Sequence, residues 1–236
     1  MVRGVPTGRR GDAARAIAVI LGIFPIRSAL SIMAPIELPP PETDGSTSVE
    51  RAIATRASRR SFSDEPVAVE DVAQLLWAAQ GITHDRDEIA MRAAPSAGAT
   101  YPLVAFLEVA PGGCDELDPG LYRYDPDGHV LTLEIEGDVH DDVTTAALGQ
   151  PVVSGAPVTI ILAAEYERTR REYPDHGTRY VHMEVGHAAQ NVHLICEARG
   201  LNSCPVGAFT DEELASALDL TDRLDPLYLI PVGRPA

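Results

Sequence analysis

A nearly continuous apolar run, PVTIILAAEY from Pro157, constrains the fold of this 236-residue chain more than any other segment. Its length suits a strand, and its lack of polar alternation predicts a central strand that is covered on both faces. Further strands are predicted at LVAFLEVA from Leu103 and at PLYLIPVG near the C-terminus. The segment GLYRYDPDGHVLTLEIEG predicts a hairpin around Asp127-Gly128, a strong turn dipeptide. Together these segments predict a sheet that contains an antiparallel pair.

Helical segments are interspersed with these strands. A short helix is predicted after Ser48, which acts as its N-cap, and a second helix follows Pro66 and ends at Gly81. A long helix is predicted from about Tyr180 to Arg199. The sequence TDEE from Thr210 has the form of a capping box and predicts the start of another helix. Interspersed helices and an antiparallel strand pair favour the α+β class.

The first 35 residues differ from the rest of the chain. They begin basic and turn apolar between Ala16 and Ile26, a run too short to span a bilayer as a helix. A poorly structured extension, or a start codon assigned too early, is the favoured interpretation, and a signal peptide is the alternative. Three scattered cysteines favour a reducing compartment. We therefore expect one domain over residues 36–236, located in the cytoplasm and without a membrane span.

The charge balance excludes one large class of partner. The formal net charge is -16, and all 19 basic residues are arginines. A nucleic-acid backbone needs a basic face, so we expect no nucleic-acid partner. Acidic excess with arginine alone is typical of a halophile, in which molar salt screens the repulsion between carboxylates. Bias in base composition is the alternative explanation.

Against this acidic background, the stretch RASRRSFSDEP over residues 56–66 gathers arginines and serines. If it is extended, Arg56, Ser58 and Arg60 share one face and Arg59 points the other way. Two guanidiniums and a hydroxyl on one face suit a phosphate monoester, which accepts bidentate charge-assisted hydrogen bonds. The alternative is a solvated basic turn that is paired with nearby acids.

Three other stretches have the composition of ligand-binding loops. APSAGATYP, over residues 94–102, is a tight loop of small residues whose backbone can approach a flat ligand. GLNSCPVGAF, over residues 200–209, joins two helices and is expected to leave backbone N–H groups free. The terminal PVGRP supplies another guanidinium from Arg234. Each stretch is a weak signal when it is taken alone.

In this order and spacing, the four stretches resemble the nitroreductase superfamily and, within it, the SagB-type dehydrogenase branch. The resemblance covers roughly residues 36–236 and includes LLWAAQGIT, PGLYRYDPDGH and HMEVGHAAQNVHL. It implies an α+β fold with a central, mostly antiparallel sheet flanked by helices. It also implies an FMN-dependent oxidoreductase built as an intertwined homodimer, with NAD(P)H as a candidate reductant.

The same resemblance assigns residues to the cofactor site. Around the phosphate and ribityl chain of FMN it places Arg56, Ala57, Ser58 and Arg60. From the partner subunit it brings Pro95, Ser96, Ala97 and Gly98. Beside the isoalloxazine ring, with backbone N–H groups near its N5 edge, it places Pro205, Val206 and Gly207. To close the phosphate site it adds Gly233 and Arg234.

One position departs from the branch. Members that oxidise azolines in peptides carry a Lys-Tyr pair before the long helix, and the aligned stretch here is REYPDHGTRY. Tyr173 matches the tyrosine and is a candidate proton donor, with a packing role as the alternative. Glu172 replaces the lysine, which puts azoline oxidation in doubt. The histidines of the long helix do not share a ligand face at close range, so no metal site is predicted.

The functional prediction is an FMN-dependent enzyme that moves hydride between a reduced nicotinamide, or a modified peptide, and an acceptor. An azoline dehydrogenase in a peptide-tailoring complex is one alternative, and a non-catalytic flavin-binding subunit is another. The sequence does not distinguish NADH from NADPH, because no G-x-G-x-x-G follows a strand.

Overall fold

A computed structural model of the chain describes Met1 and residues 34–86 and 89–236. Contacts divide the chain into two units, Met1–Met33 and Ala34–Ala236. Most of the predicted N-terminal extension, including the signal-like segment, lies outside the described residues. The architecture below is that of the second unit.

Within the described residues, seven strands form one sheet in the order β1-β6-β5-β4-β7-β9-β8. Every pairing in this sheet is antiparallel. The strands are β1 Ile36–Glu37, β4 Leu103–Val109, β5 Gly120–Asp125, β6 Val130–Glu136, β7 Val158–Ala164, β8 Asn202–Ser203 and β9 Asp225–Gly233. A separate antiparallel pair consists of β2 Ile82–Arg86 and β3 Ile89–Arg92.

Helices cover both faces of the sheet. They are α1 Val49–Thr55, α2 Val69–Gln80, α3 His140–Ala146, α4 Pro151–Ser154, α5 Tyr166–Glu172, α6 Gly177–Ala198 and α7 Asp211–Ala217. Apolar residues of α2 and α6 form the core on one face, and those of α3, α4 and α7 form the core on the other. The predicted α+β class and the mostly antiparallel sheet flanked by helices are therefore confirmed.

The apolar run from Pro157 forms β7, which lies between β4 and β9. Every residue of β7 is buried. Ile160 and Leu162 pack against the α2 and α6 side, whereas Ile161 and Ala163 pack against the other side. The prediction of a central strand covered on both faces is confirmed.

Most predicted elements form, with differences at their ends. The Ser48 side chain accepts a hydrogen bond from Arg51 N at 3.2 Å, as an N-cap should. The long helix begins at Gly177, three residues earlier than predicted. Thr210 is the N-cap of α7, but its side chain makes no capping hydrogen bond, so the capping box is not formed. The polar α5 and the short α3 and α4 were not predicted, because brief helices carry little apolar periodicity.

Candidate functional site

The arginine-rich stretch lies against the edge of the sheet at β8 and β9. Arg59 N donates to Ser203 O at 3.0 Å, and Ser63 N donates to Arg234 O at 3.0 Å. Asn202 Nδ2 donates to the carbonyl of Ser61 at 2.9 Å. The structure therefore brings together three of the four stretches that the sequence singles out, those at residues 56–66, 200–209 and 231–235.

Gly233 permits this close approach. A Cβ atom at this position would lie 2.9 Å from Cβ of Phe62 and 2.8 Å from Cδ of Pro157, distances that real Cβ atoms do not adopt. The terminal strand thus needs glycine here so that the stretch around Phe62 can pack on it. Gly233 therefore has a packing role in the structure, and its assignment to a phosphate site stays a prediction.

Arg56 has an unusual partner. Its Nη1 lies 3.0 Å from Nε2 of His193, and His193 Nδ1 lies 2.5 Å from Oγ of Ser203. Burial lowers the pKa of His193, and the positive charges of Arg56 and Arg59 lower it further. The imidazole is therefore neutral near pH 7 and leaves the charge of Arg56 uncompensated.

Arg60 is likewise free of acidic partners. Its side chain is exposed, and Nη1 donates to Ser58 O at 3.4 Å. Among the described residues, neither Arg56 nor Arg60 forms an ion pair. Arg56 and Arg60 thus each keep an unneutralised guanidinium in a chain that is otherwise strongly acidic.

Two nearby arginines are already paired. Arg59 Nη1 lies 2.5 Å from Oε2 of Glu197, and this hydrogen bond lowers the pKa of Glu197. Arg234 lies 3.9 Å from a carboxylate oxygen of Glu65 and 3.7 Å from one of Asp71. The charge expected from Arg234 at a phosphate site is shared with these two carboxylates.

The predicted alternation of the stretch is only partly observed. Residues 56–66 form no regular strand, and Phe62 makes an isolated bridge to Pro235. Arg56 and Arg59, which were expected to point in opposite directions, both contact α6, at His193 and at Glu197. These two positions are one helical turn apart, so the same face of α6 orients both arginines.

The loop over residues 200–209 uses some of its N–H groups within the fold and leaves others free. Val206 N donates to Leu229 O at 2.7 Å, and Leu229 N returns a bond to Val206 O at 3.0 Å. Pro205 has no N–H. Gly207 is exposed, and its N–H makes no hydrogen bond with the described residues. The bridge to β9 uses the N–H of Val206, but the N–H groups of Gly207, Ala208 and Phe209 make no hydrogen bond with the described residues, as the expectation of free N–H groups requires.

The small-residue loop forms a short 3₁₀ turn at Ala97–Ala99, in which Gly98 has a φ of +60°. A Cβ atom on Gly98 would lie 2.7 Å from the hydroxyl oxygen of Tyr173. Ser96 Oγ accepts a hydrogen bond from Tyr101 N at 3.0 Å. Tyr173 therefore packs directly on the loop and holds its hydroxyl at the glycine.

Glu184 on α6 lies behind this loop and was missed by sequence reasoning. It is 3% exposed, and its Oε1 has no hydrogen-bond partner. Burial raises the pKa of Glu184 to about 7, against the opposing effects of the Ser96 hydroxyl and the charge of Arg92. The sequence did contain a signal for a buried carboxylate, because in HMEVGH the acidic residue stands next to positions expected in the core.

Arg56 and the 95–98 loop, which the sequence assigned to one cofactor site, lie apart within a single chain. Arg56 contacts α6 at His193, and the small-residue loop contacts it at Glu184. Nine residues separate these positions, which is about 14 Å along the helix axis and about 180° around it. Arg56 and the 95–98 loop therefore contact opposite sides of α6.

Comparison with known proteins identifies the family. The nitroreductase family profile matches residues 53–234. A Methanocaldococcus jannaschii protein named as a nitroreductase, MJ1384, is 40% identical over 186 residues, which cover 79% of this chain and 90% of that protein. The chain belongs to the nitroreductase family. It is therefore an oxidoreductase by family membership.

Solved structures agree with this assignment. A Ralstonia eutropha protein described as a nitroreductase matches with a TM-score of 0.73 and 28% identity, over 86% of this chain and 90% of that one. A Desulfovibrio desulfuricans nitroreductase solved in complex with FMN matches with a TM-score of 0.58 and 24% identity, over 80% of this chain and 87% of that one.

In the part of the chain that the structure describes, no helix is long and apolar enough to cross a membrane.

Proposed function

We propose that this member of the nitroreductase family is an FMN-dependent oxidoreductase that works as a homodimer. The observation that carries the proposal is the pair of guanidiniums on Arg56 and Arg60, which lack carboxylate partners among the described residues. A phosphate monoester is a dianion that matches such a pair. The FMN bound to the Desulfovibrio relative supports this choice of ligand.

The residues present fit such a cofactor. Arg56 and Arg60 would hold its phosphate, with Ala57 and Ser58 along the ribityl chain. The neutral imidazole of His193 orients Arg56 without neutralising it. The exposed N–H of Gly207 would donate to the ring. When bound, FMN supplies the hydride chemistry, and the protein supplies position and electrostatics.

A second copy of the chain would complete the site. Because Arg56 and the 95–98 loop contact opposite sides of α6, Pro95, Ser96, Ala97 and Gly98 of one copy are available to the flavin held by the other. Tyr173 of the same copy would lie at this site too, since its hydroxyl packs against Gly98 of the loop. We propose that Tyr173 borders the space for the acceptor.

The hydride donor that we propose is NADH or NADPH, and the acceptor is a small molecule or a modified peptide. Azoline oxidation is not proposed, because Glu172 replaces the lysine of the SagB-type pair and is exposed. Membership of the SagB-type branch remains a prediction from the motifs.

The test uses full-length protein reconstituted with FMN. We expect stoichiometric flavin binding, a dimer by light scattering, and anaerobic bleaching of flavin absorption by NADH or NADPH. Arg179, exposed on α6 and without a side-chain partner among the described residues, provides the matched control: Arg179→Ala should leave all three unchanged. Protein that binds no FMN contradicts the proposal. Flavin that binds but is not bleached by either nicotinamide would identify a flavin-binding subunit instead.

A further inference from the structure

The sheet is split where β4 meets β5, away from the arginine-rich stretch. The two strands pair from Phe106↔Arg123 to Val109↔Gly120, although β4 begins at Leu103 and β5 continues to Asp125. Extending this register would place Pro126 opposite Leu103, and a proline has no N–H to donate. A cavity of about 440 Å³ occupies the fork. This volume lies in the range of known ligand sites, about 300–1,000 Å³.

Main-chain groups of β4 point into the fork. Glu165 N donates to Pro102 O at 2.9 Å, and Ala110 N donates to Pro157 O at 3.0 Å. In an antiparallel pair, successive residues turn their N–H and C=O groups to opposite sides. Even-numbered positions of β4 therefore face β7, and Leu103 and Ala105 face the β5 side. Beyond the last paired residue, the groups of Leu103 have no strand opposite them.

Side chains of both charges line the cavity. They include the guanidiniums of Arg92 and Arg168 and, from the β5–β6 hairpin, the carboxylates of Asp125, Asp127 and Glu134. Arg92 is held by Gln80 Oε1 at 2.9 Å, and Arg168 donates to Tyr101 O at 3.0 Å. The cavity therefore suits a ligand that carries polar groups of both charges.

Arg123 also lines the cavity, from β5. The residue is exposed, and its side chain makes no hydrogen bond or ion pair with any described residue. A guanidinium that is free of internal partners is available to an acidic group of a ligand.

A second cavity, of about 370 Å³, adjoins the first and shares Tyr124, Pro126 and Asp127 with it. Its remaining lining is mainly apolar and includes Leu38, Pro40, Pro41, Trp77 and Ile82. The two cavities form one elongated cleft with a polar end and an apolar end. Such a cleft matches a chain-like ligand that alternates main-chain groups with different side chains.

We propose that this cleft binds an extended peptide segment. Its main chain would pair with Leu103, an acidic side chain would reach Arg123, and an apolar side chain would enter the cavity beside Trp77. The cleft contacts the 94–102 loop through Arg92, whose guanidinium lies 4.5 Å from the centre of the Tyr101 ring. That the bound peptide is also the acceptor for hydride rests on the proposed function, whereas peptide binding itself does not.

The test begins with immobilised, flavin-loaded full-length protein and a displayed library of random twelve-residue peptides. We expect enrichment of peptides with acidic and apolar residues over a blank surface. The enriched peptides are then synthesised with a fluorophore and titrated by anisotropy. Arg123→Glu should weaken their binding at least tenfold. Arg171→Glu makes the same charge change at an exposed α5 position outside the cleft, and it should leave their binding within twofold of the wild type.

Two outcomes overturn the proposal: no enrichment over the blank surface, or enriched peptides that bind Arg123→Glu as tightly as wild type. Melting temperatures of both variants show whether a loss of binding reflects unfolding. Repeating the titrations on flavin-free protein separates the two proposals. Peptide binding without flavin binding would contradict only the FMN assignment, and flavin binding without peptide binding would contradict only the cleft.

Discussion

Nη1 of Arg56 lies 3.0 Å from Nε2 of His193, so a buried imidazole stands where a carboxylate would ordinarily neutralise an arginine. The neighbouring Arg59 shows the contrast, because its guanidinium is paired with Glu197. Arg56 thus keeps an uncompensated charge, whereas Arg59 does not.

Arg56→Ala should weaken FMN binding by roughly tenfold or more, because a hydrogen bond to a charged group contributes about 1.5–3 kcal/mol. The measurement is a titration of flavin fluorescence, with Arg179→Ala as the control. An Arg56→Ala protein that purifies with full flavin occupancy would refute the assignment of this residue to the phosphate.

His193 makes stability depend on pH on the acid side. Its pKa is lowered in the folded protein, mainly by burial, so below about pH 6.5 the unfolded chain binds more protons than the folded chain. Stability is therefore present above that pH and is lost as the pH falls. Urea unfolding at pH 7.5 and 5.5 should show this loss, and His193→Asn should reduce it. An identical pH dependence in the variant would contradict the explanation.

His140 makes stability depend on pH on the alkaline side. Its Nδ1 lies 2.9 Å from Oε1 of the fully buried Glu108, and this bond raises the pKa of His140 to about 9. Burial also raises the pKa of Glu108. The raised pKa of His140 stabilises the fold at low pH, and this contribution is lost as the pH rises from about 6.5 through about 9. Urea midpoints should fall over that range.

Removing one partner of this buried pair tests its contribution. His140→Gln should destabilise the protein by about 3 kcal/mol or more at pH 7, because it leaves Glu108 buried without a cation. The alkaline decline in the urea midpoint should largely disappear in the variant. Flavin binding should be unaffected, since the pair packs at α3 and β4 and not at the arginines.

Gly98→Ala should destabilise the 95–98 loop for two separable reasons. A left-handed φ strains an alanine by about 1–2 kcal/mol, and the new Cβ would lie 2.7 Å from the hydroxyl of Tyr173. In a Tyr173→Ala background only the backbone strain remains, because the hydroxyl that the new Cβ would meet is gone. A double-mutant cycle from urea unfolding should therefore show a smaller penalty for Gly98→Ala in that background. Strict additivity would mean that Tyr173 does not pack on the glycine.

The net charge of -16 predicts salt-dependent stability. Raising ionic strength from 0.1 M to 1 M shortens the Debye length from about 10 Å to about 3 Å, which screens repulsion among the carboxylates. The melting temperature should rise steadily as KCl is increased to molar concentration. An unchanged melting temperature would favour base-composition bias as the origin of the acidic, lysine-free sequence.

Local patterns in the sequence were sufficient for much of the fold. The apolar run of β7, the hairpin at Asp127-Gly128 and the Ser48 cap each depend on residues within a few positions of one another. Strand burial, turn geometry and capping are short-range effects, so the order of residues determines them directly. The order and spacing of the motifs that indicated the nitroreductase family could also be read from the sequence, although these motifs are spread over most of the chain.

The pairing of charges and of N–H groups was decided by tertiary structure alone. Arg56 meets His193 across 137 positions of sequence, and Val206 gives its N–H to Leu229 on another strand. Neither contact has a local signature, because packing of α6 and β9 creates it. The sequence determined which groups could bind an anion, and the folded chain alone decided which of them remain unpaired. The physical reason is that a charge or an N–H donor stays available only where no neighbour in space forms an ion pair or a hydrogen bond with it.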